Sequence, residues 1–380
     1  MTLVIQVLHH TIRDPNGGEA RKGWNEVVAL QLAKRYTDLE IECWTPDSGA
    51  RSDAVWRDAH GIVHRTFPSI RLRYGVELSP MMLGQARSMA RQRPLLHLHG
   101  VYNLTSYAFS VLQGGRSPIL LQFHDPVNES PSFPAPIRTG VRQAALRKVA
   151  RFLVPSEGQR ALLPAWMREK AIVSPLGVDL DVFHPLDKYA ERARLGLDQQ
   201  LTYGIFVGRL VAAKGLRPLL HAVQMISRKI PGFHLLVAGD GPMQGELEAT
   251  SKSIGIGDRV HLLGWLGSER LASFLNAADM LIHPSFREAG PLAVLESLAC
   301  GTPVIAKPVG YVPELSETIG GIVAIDGPLP SAIAEAIEAV GRDPLAVSAG
   351  IKRERIARYG WDEVSARLCG LYAELARQSG

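Results

Sequence analysis

The stretch from Ser285 to Val304, SFREAGPLAVLESLACGTPV, leaves this chain few ways to fold. A short apolar segment, Met280-Leu-Ile-His-Pro, precedes it. Pro291 opens an apolar run, Leu292 to Leu298, and a Gly-Thr-Pro break leads into a second short segment, Val304-Ile-Ala. The pattern predicts strand, turn, helix, strand. Proline suits the first turn of a helix, where its missing N–H has no intrahelical partner anyway. Glu288 then lies just ahead of the helix and Glu296 on it, about 7–8 Å along the axis from Pro291. A helix N-terminus carries free N–H groups and positive partial charge, which suits a phosphate. Carboxylates are strong acceptors for sugar hydroxyls. The stretch therefore suits a ligand that is part phosphate and part sugar. An ordinary amphipathic helix with two solvated glutamates has the same pattern, so this stretch alone leaves both readings open.

At 380 residues the chain is too long for one ordinary core and suits two domains. Its 46% apolar and 21% charged residues are those of a globular protein, and no apolar run reaches the length of a membrane span. The start, MTLVIQVLHH, has no basic leader before its apolar run and reads as a first strand rather than a signal peptide. Cys43, Cys300 and Cys369 are odd in number and scattered, which fits a reducing cytosol better than a disulfide framework or a zinc site. Charge is uneven: residues 1–180 carry 22 Lys and Arg against 15 Asp and Glu, and the remainder 20 against 22. A basic N-terminal half attracts anionic lipid, a phosphorylated acceptor or nucleic acid, or is simply a solvated basic surface.

Taken in order, Leu3 to Leu8 reads as a buried parallel strand. Gly17-Gly18 then opens a helix, Glu19 to Arg35, at a turn where a backbone can approach a ligand closely. Leu39 to Thr45 is a second strand, and residues 51–75 are Arg-rich without clear periodicity. Leu95 to His99 is a strand with His97 and His99 on one face; with no third ligand in view, polar strand-end residues are the better reading than a metal site. Pro118 to Phe123 is another strand, ending in His124-Asp125-Pro126 at the carboxyl end where open α/β sheets bind ligands. Arg138, Arg142, Arg147, Lys148 and Arg151 mark a helix whose basic face is solvated or lies on an acidic membrane. Asp179-Leu-Asp181 has the form of a metal-binding D-x-D, but no strand runs into it, which argues against metal.

Strand–helix alternation then repeats. Tyr203 to Val207 is followed by Gly208-Arg209-Leu-Val-Ala-Ala-Lys214-Gly215, a glycine turn with two cations over a helix start, suited to a diphosphate. Phe233 to Ala238 leads into Gly239-Asp-Gly241-Pro242. This resembles a dinucleotide fingerprint, but the third glycine falls at Gly245, one residue late. Val260 to Leu266 is the next strand and turn, and Tyr359-Gly-Trp361 precedes an amphipathic helix to Leu375.

Glu288 and Glu296 with Ala299-Cys-Gly-Thr-Pro-Val-Ile-Ala closely resemble the group 1 glycosyltransferases, the retaining GT-B enzymes of family 4. The resemblance extends over most of the chain: Gly17-Gly18, His124-Asp125, Leu176-Gly-Val-Asp with Phe183-His-Pro, Gly208-Arg-Leu with Lys214-Gly215, and Gly239-Asp-Gly-Pro. It implies that Gly17 and Gly18 face the donor diphosphate and acceptor, and that His124 contacts the donor sugar near the reaction centre. Arg209 and Lys214 clamp the diphosphate, Glu288 binds donor-sugar hydroxyls, and Glu296 binds the ribose. Gly239 and Gly241 border the donor site, and Gly290, Pro291 and Leu292 form its phosphate or sugar loop. The sequence departs from the family pattern at Leu176, where Asn is commoner, at Ala289 to Leu292, at Val309 to Glu314 and in the short loop after Ile325.

The expected architecture is α/β: two doubly wound Rossmann-like domains facing across a cleft, with the C-terminal helix crossing back to the first. Residues 1–180, joined by helix 362–380, are expected to bind the acceptor, and residues 181–361 the donor. The resemblance implies a retaining hexosyl transfer from a UDP-, GDP- or ADP-linked sugar to a hydroxyl of a glycan, a lipid-linked saccharide or a small molecule. Neither a metal nor another cofactor is expected, and no nucleic-acid partner. The expected location is the cytoplasm, with peripheral contact at the inner membrane face through the basic N-terminal domain. A glycosyl phosphorylase, a nucleotide-sugar epimerase and a non-catalytic nucleotide-sugar-binding subunit are the alternatives on the same fold.

Overall fold

The computed structural model describes residues 2–7, 24–71, 77–101, 104–124, 135–327 and 329–379. The chain divides into two compact units, Met1–Pro175 with Asp362–Gly380, and Leu176–Trp361. In the first unit the order is β1 (Thr2–Val7), α1 (Trp24–Ala33), β2 (Leu39–Asp47), β3 (Ala54–Arg57), β4 (Val63–Pro68), β5 (Ile70–Arg71), β6 (Glu77–Leu78), α2 (Pro80–Ser88), β7 (Leu95–His99) and α3 (Leu104–Gln113). Next come β8 (Ile119–Gln122), α4 (Ala135–Arg147), β9 (Arg151–Val154), α5 (Glu157–Ala161), α6 (Ala165–Arg168) and β10 (Ala171–Val173). The second unit holds α7 (Lys188–Leu195), β11 (Thr202–Val207), α8 (Leu216–Ile226), β12 (Phe233–Ala238), α9 (Gln244–Ser253), β13 (Val260–Gly264), α10 (Ser268–Ala277) and β14 (Met280–His283). It continues through α11 (Leu292–Ala299), β15 (Val304–Ala306), α12 (Val312–Thr318), β16 (Ile322–Ala324), α13 (Ser331–Arg342) and α14 (Pro344–Ala349). The last helix, α15 (Trp361–Ser379), belongs to the first unit from Asp362 onward.

The first unit is built on an eight-stranded sheet ordered β10-β9-β8-β7-β1-β2-β4-β3. Every pairing is parallel except β3 with β4. Strands β7 and β8 are buried throughout, as parallel strands covered on both faces must be. The Arg-rich segment 51–75, which shows no periodicity in the sequence, contains β3 and β4. All four β3 residues are exposed, so no apolar alternation marks it, and pairing with β4 at the sheet edge defines it. Helix α15 joins this unit through Arg35 Nε to Asp362 Oδ1 at 2.6 Å and Arg151 Nη2 to Glu374 Oε1 at 2.9 Å.

The second unit has a six-stranded parallel sheet ordered β13-β12-β11-β14-β15-β16. Successive residues point to opposite faces. Ile205, Leu281 and Val304 join the core under α10, α11 and α12, with Leu275, Leu295 and Leu315. Phe206, Ile282 and Ile305 join the opposite core under α8 and α13, with Leu219, Val223 and Ile337. The chain leaves β11 toward β12 and β13, then returns to the other side of β11 as β14. That reversal opens a crevice outside the carboxyl ends of β11 and β14, the place where open α/β sheets bind ligands. Among the described residues no helix is long and apolar enough to cross a membrane.

Candidate functional site

The loops that follow β11 and β14 are pressed together by glycine. Gly215 has φ +72, and a Cβ there would overlap the carbonyl oxygen of Pro284, so a side chain at 215 would push the two loops apart. The Phe286 N–H donates to the Ala213 carbonyl at 2.9 Å and ties the loops a second time. This closeness pairs the Lys214 ammonium with Glu288 Oε1. On the other side of the same carboxylate oxygen stands His283 Nε2, at 3.1 Å, from the last residue of β14. Burial alone would raise the Glu288 carboxyl. The His283 ring and the Lys214 ammonium outweigh it and hold the group down at about 2. Glu288 is therefore ionised across the physiological range and acts purely as an acceptor.

Helix α11 begins beside this pair. Pro291 is its N-cap and no side chain caps it, so the helix starts at Leu292, one residue later than the sequence suggests. The cap geometry (φ −72, ψ 99) already holds Pro291 outside the helical region. Gly310, at φ +59, backs the loop, and a Cβ there would lie 2.7 Å from the Ala289 carbonyl oxygen. Glu296 sits one turn into α11, half-buried and without the cationic partner that Glu288 has; burial pushes its carboxyl up to about 8. The two glutamates singled out by the sequence thus have opposite electrostatic characters. Tyr311 is buried nearby, its hydroxyl raised first by burial and then by the charges of Glu296 and Glu288. Its hydroxyl and that of Ser285 are buried without hydrogen-bond partners among the described residues. Leaving such a group unpaired costs about 1–3 kcal/mol, so both hydroxyls are uncompensated polar atoms buried near the Glu288 loop.

The remaining expected residues fall into four groups. Arg209 follows β11 directly, exposed and out of contact with the Lys214–Glu288 pair. Gly239 and Gly241, at φ +139 and +152, carry the loop after β12 against the loop after β11. A Cβ on Gly239 would overlap the Gly208 carbonyl oxygen, and one on Gly241 would lie 2.6 Å from that of Leu210. Their demonstrable work is this close backbone packing. Gly17, Gly18 and Asp125 lie outside the described residues.

His124, just past β8 in the first unit, has its Nε2 2.9 Å from His99 Nδ1. His97 and His99 are fully buried rather than solvent-facing, their rings stacked 4.3 Å apart. Among the described residues no three His, Cys, Asp or Glu side chains are grouped to hold a metal ion. In Asp179-Leu-Asp181, Asp179 Oδ1 instead accepts from the Asp181 N–H at 3.2 Å. Sequence reasoning missed His283, Gln6 and Tyr372. His283 and Gln6 stand as polar residues inside apolar strand segments, which is the one signal that marks them.

The family model for "Glycosyl transferases group 1" matches residues 187–362, and that for "Glycosyltransferase Family 4" matches residues 26–182. The chain is 30% identical over 424 aligned positions to the D-inositol 3-phosphate glycosyltransferase of Mycobacterium avium, covering 99% of this chain and 94% of the relative. It is 34% identical over 339 positions to the enzyme of that name from Mycobacterium sp. strain KMS, covering 82% and 75%. Among solved structures it matches the sucrose-phosphate synthase of Thermosynechococcus elongatus at a TM-score of 0.79 and 24% identity, over 100% of both chains. It also matches Anabaena HepE in complex with UDP-glucose at 0.75 and 17%, over 98% of this chain and 100% of that one. These likenesses identify the fold as GT-B.

Proposed function

Since the chain belongs to the group 1, family 4 glycosyltransferases, we propose that it moves a hexose from a nucleotide-sugar donor to a hydroxyl acceptor, with retention of configuration and without a metal. The observation that carries this reading is Glu288, held ionised by Lys214 and His283 at the switch point between β11 and β14, next to the uncapped N-terminus of α11. An ionised carboxylate accepts hydrogen bonds from donor-sugar hydroxyls. Lys214, Arg209 and the first N–H groups of α11 meet the diphosphate and the charge that grows on it as it departs. Glu296 receives the ribose hydroxyls. The acceptor hydroxyl attacks from the face that the diphosphate leaves, and a phosphate oxygen takes its proton. Catalysis is then mainly positional and electrostatic.

The chain's named relatives act on D-inositol 3-phosphate, and residues 1–180 carry a net positive charge. Both support a small phosphorylated polyol or sugar phosphate as acceptor. The complex of HepE with UDP-glucose supports trying a UDP-linked donor first.

A thermal-shift panel of UDP, GDP, ADP and their hexose conjugates, with phosphate and sugar phosphates alongside, tests the donor. A ligand at a hundredfold excess over its Kd stabilises by about 2.7 kcal/mol. Stabilisation by one nucleotide, followed by transfer from its sugar conjugate to a phosphorylated polyol with the anomeric configuration kept, is the expected result. Stabilisation by phosphate or a sugar phosphate alone would replace this reading with a phosphorylase.

A further inference from the structure

A pocket of about 280 Å³ opens in the first unit at the amino end of β8. Arg93, Arg116 and Lys148 line it, with Ser117 and, from α15, Leu375 and Gln378; no Asp or Glu is among its lining residues. All three cations are exposed to solvent. His124 stands past the other end of the strand, roughly 15 Å away by the rise of an extended chain.

Local devices bring the cations together. α3 ends at Gln113, whose carbonyl accepts from the N–H groups of Arg116 at 2.8 Å and Ser117 at 3.0 Å. A Cβ on Gly114 would overlap Lys148 Cβ, so only glycine lets this turn lie against the lysine. Arg116 Nη1 donates to the Leu112 carbonyl at 2.8 Å and Lys148 Nζ to that of Val111 at 3.1 Å, so both cap the last turn of α3. A guanidinium and an ammonium have several donors each, and one bond apiece leaves most of them unspent. Arg93 arrives from the turn before β7. Among the described residues it alone has a positive φ without being glycine, at φ 48 and ψ 51, a conformation that few L side chains adopt. Its guanidinium makes no hydrogen bond or ion pair among the described residues.

No lining carboxylate answers these charges. Glu374 of α15 is taken by Arg151 Nη2 and Gln378 Nε2, both at 2.9 Å. Helix capping accounts for Arg116 and Lys148, but neither for Arg93 nor for the cavity the three share. Ser117 adds a buried polar residue to the wall, its hydroxyl without a partner among the described residues. Three converging cations match an anion with more than one negative charge. A phosphate monoester carries about −1.5 to −2 at pH 7, and guanidinium groups bind its oxygens in pairs. The volume lies just below the range of small-molecule pockets, which leaves room for a compact body on the phosphate.

We propose that this pocket binds a phosphate monoester, held by Arg93, Arg116 and Lys148 at the opposite end of β8 from His124. A bound ester ties α15 to the turns before β7 and β8, and so holds the last helix on the first sheet. The inference goes beyond the transferase reading and does not rest on it.

The test uses the full-length protein labelled with 2H and 15N, with the backbone N–H signals of Gly115, Arg116 and Ser117 assigned. Glycerol 3-phosphate, added in low salt at about pH 7.5, where a monoester is mostly dianionic, is expected to shift these signals saturably and to raise the melting temperature. Arg93→Gly removes a cation and suits the left-handed backbone, and Arg116→Gln keeps a donor for the Leu112 carbonyl. With unliganded melting temperatures showing both folded, each should weaken the Kd about tenfold or more, the scale of a lost charged hydrogen bond. Signals that move with the wild-type Kd in both variants overturn the proposal. Sulfate binding as tightly as the ester leaves an adventitious ion only and also overturns it. Sedimentation with phosphatidylcholine vesicles, with and without phosphatidic acid, separates the sources of the group. If the soluble ester fails and wild type, but not Arg93→Gly, sediments with phosphatidic acid, the monoester is a lipid headgroup. No shift with the ester and no Arg93-dependent sedimentation overturns the site. None of these readouts involves sugar transfer, so the site and the function reading fail separately.

Discussion

In the first unit the polar side chains beside the strand ends are three imidazoles, an amide and a phenol, joined in one chain of hydrogen bonds. In the second unit they are charged: Lys214 against Glu288, with His283 behind and Glu296 a turn along α11. A chain of hydrogen bonds acts over one bond length at each link, so it suits the fixing of side-chain orientation. A charged cluster acts through its field, strengthened where water is scarce, so it suits a diphosphate whose charge grows during the reaction. The proposed donor chemistry draws on the charged cluster of the second unit, and none of the hydrogen bonds that join the imidazoles, amide and phenol of the first unit is an ion pair of that kind.

The most damaging test of that contrast is Glu288→Gln, which keeps the shape and removes the charge. Transfer should fall about 10²–10³-fold, the scale of losing a preorganised partner at a transition state. Nucleotide affinity, read by calorimetry, should hold within about threefold, because the proposed contact is to the sugar. Transfer at the wild-type rate would remove Glu288 from the chemistry. Lys214→Ala comes next. Losing a charged hydrogen-bonding partner costs about 1.5–3 kcal/mol, so the Kd for the nucleoside diphosphate should rise roughly 10- to 100-fold. An unchanged Kd would leave the field of the second unit without its proposed diphosphate clamp.

The charged half was the more legible in the sequence. Lys214 and Glu288 each stand in a strand-end loop that the sequence marks, while the side-by-side placing of β11 and β14 that brings them together comes from the sheet order. His283 was hidden in a segment read as apolar because a single polar residue does not disturb a buried strand pattern. The neutral half was barely legible. His97 and His99 share a face by alternation, but Gln6 and Tyr372 meet across 366 residues and His97 and Tyr372 across 275. No local period encodes contacts of that span. The β3–β4 edge was hidden for a related reason: exposed edge strands have little apolar pattern and are defined by pairing.

Acid should separate the two units. His97 has a folded value of about 3, below its ordinary 6.5, so its contribution to stability is whole above about 6.5 and is lost as pH falls toward 3. Glu288 is also depressed, from 4.5 to about 2, so its contribution survives until pH drops below about 4.5. Between those limits, of these two groups only His97 of the first unit loses its contribution, about 3 kcal/mol for roughly two pH units. The second sheet has two depressed histidines of its own, His234 and His261, but both are partly exposed, so hydrogen exchange, corrected for its intrinsic pH dependence, should show β7 and β8 losing more protection between about pH 6.5 and 4.5 than β11 and β14. Equal loss in both sheets would break the contrast.

Glu296 reverses the sign within the second unit. Its folded value, about 8, lies above the ordinary 4.5, so stability is greatest below about 4.5 and declines as pH rises through 8. Burial causes this shift, and its effect on stability should be smaller than the full shift implies because the side chain is half-buried rather than sealed. Glu296→Gln should therefore match wild type near pH 5 and exceed it at about pH 8 by on the order of 1–2 kcal/mol, read as a higher melting temperature. A bound nucleotide should narrow that gap, because ribose hydroxyls donating to the ionised carboxylate repay part of its desolvation. If the variant gains stability at pH 8 and the gap persists with nucleotide bound, Glu296 is a buried acid that does not touch the ribose, and the donor-sugar contact at Glu288 stands alone.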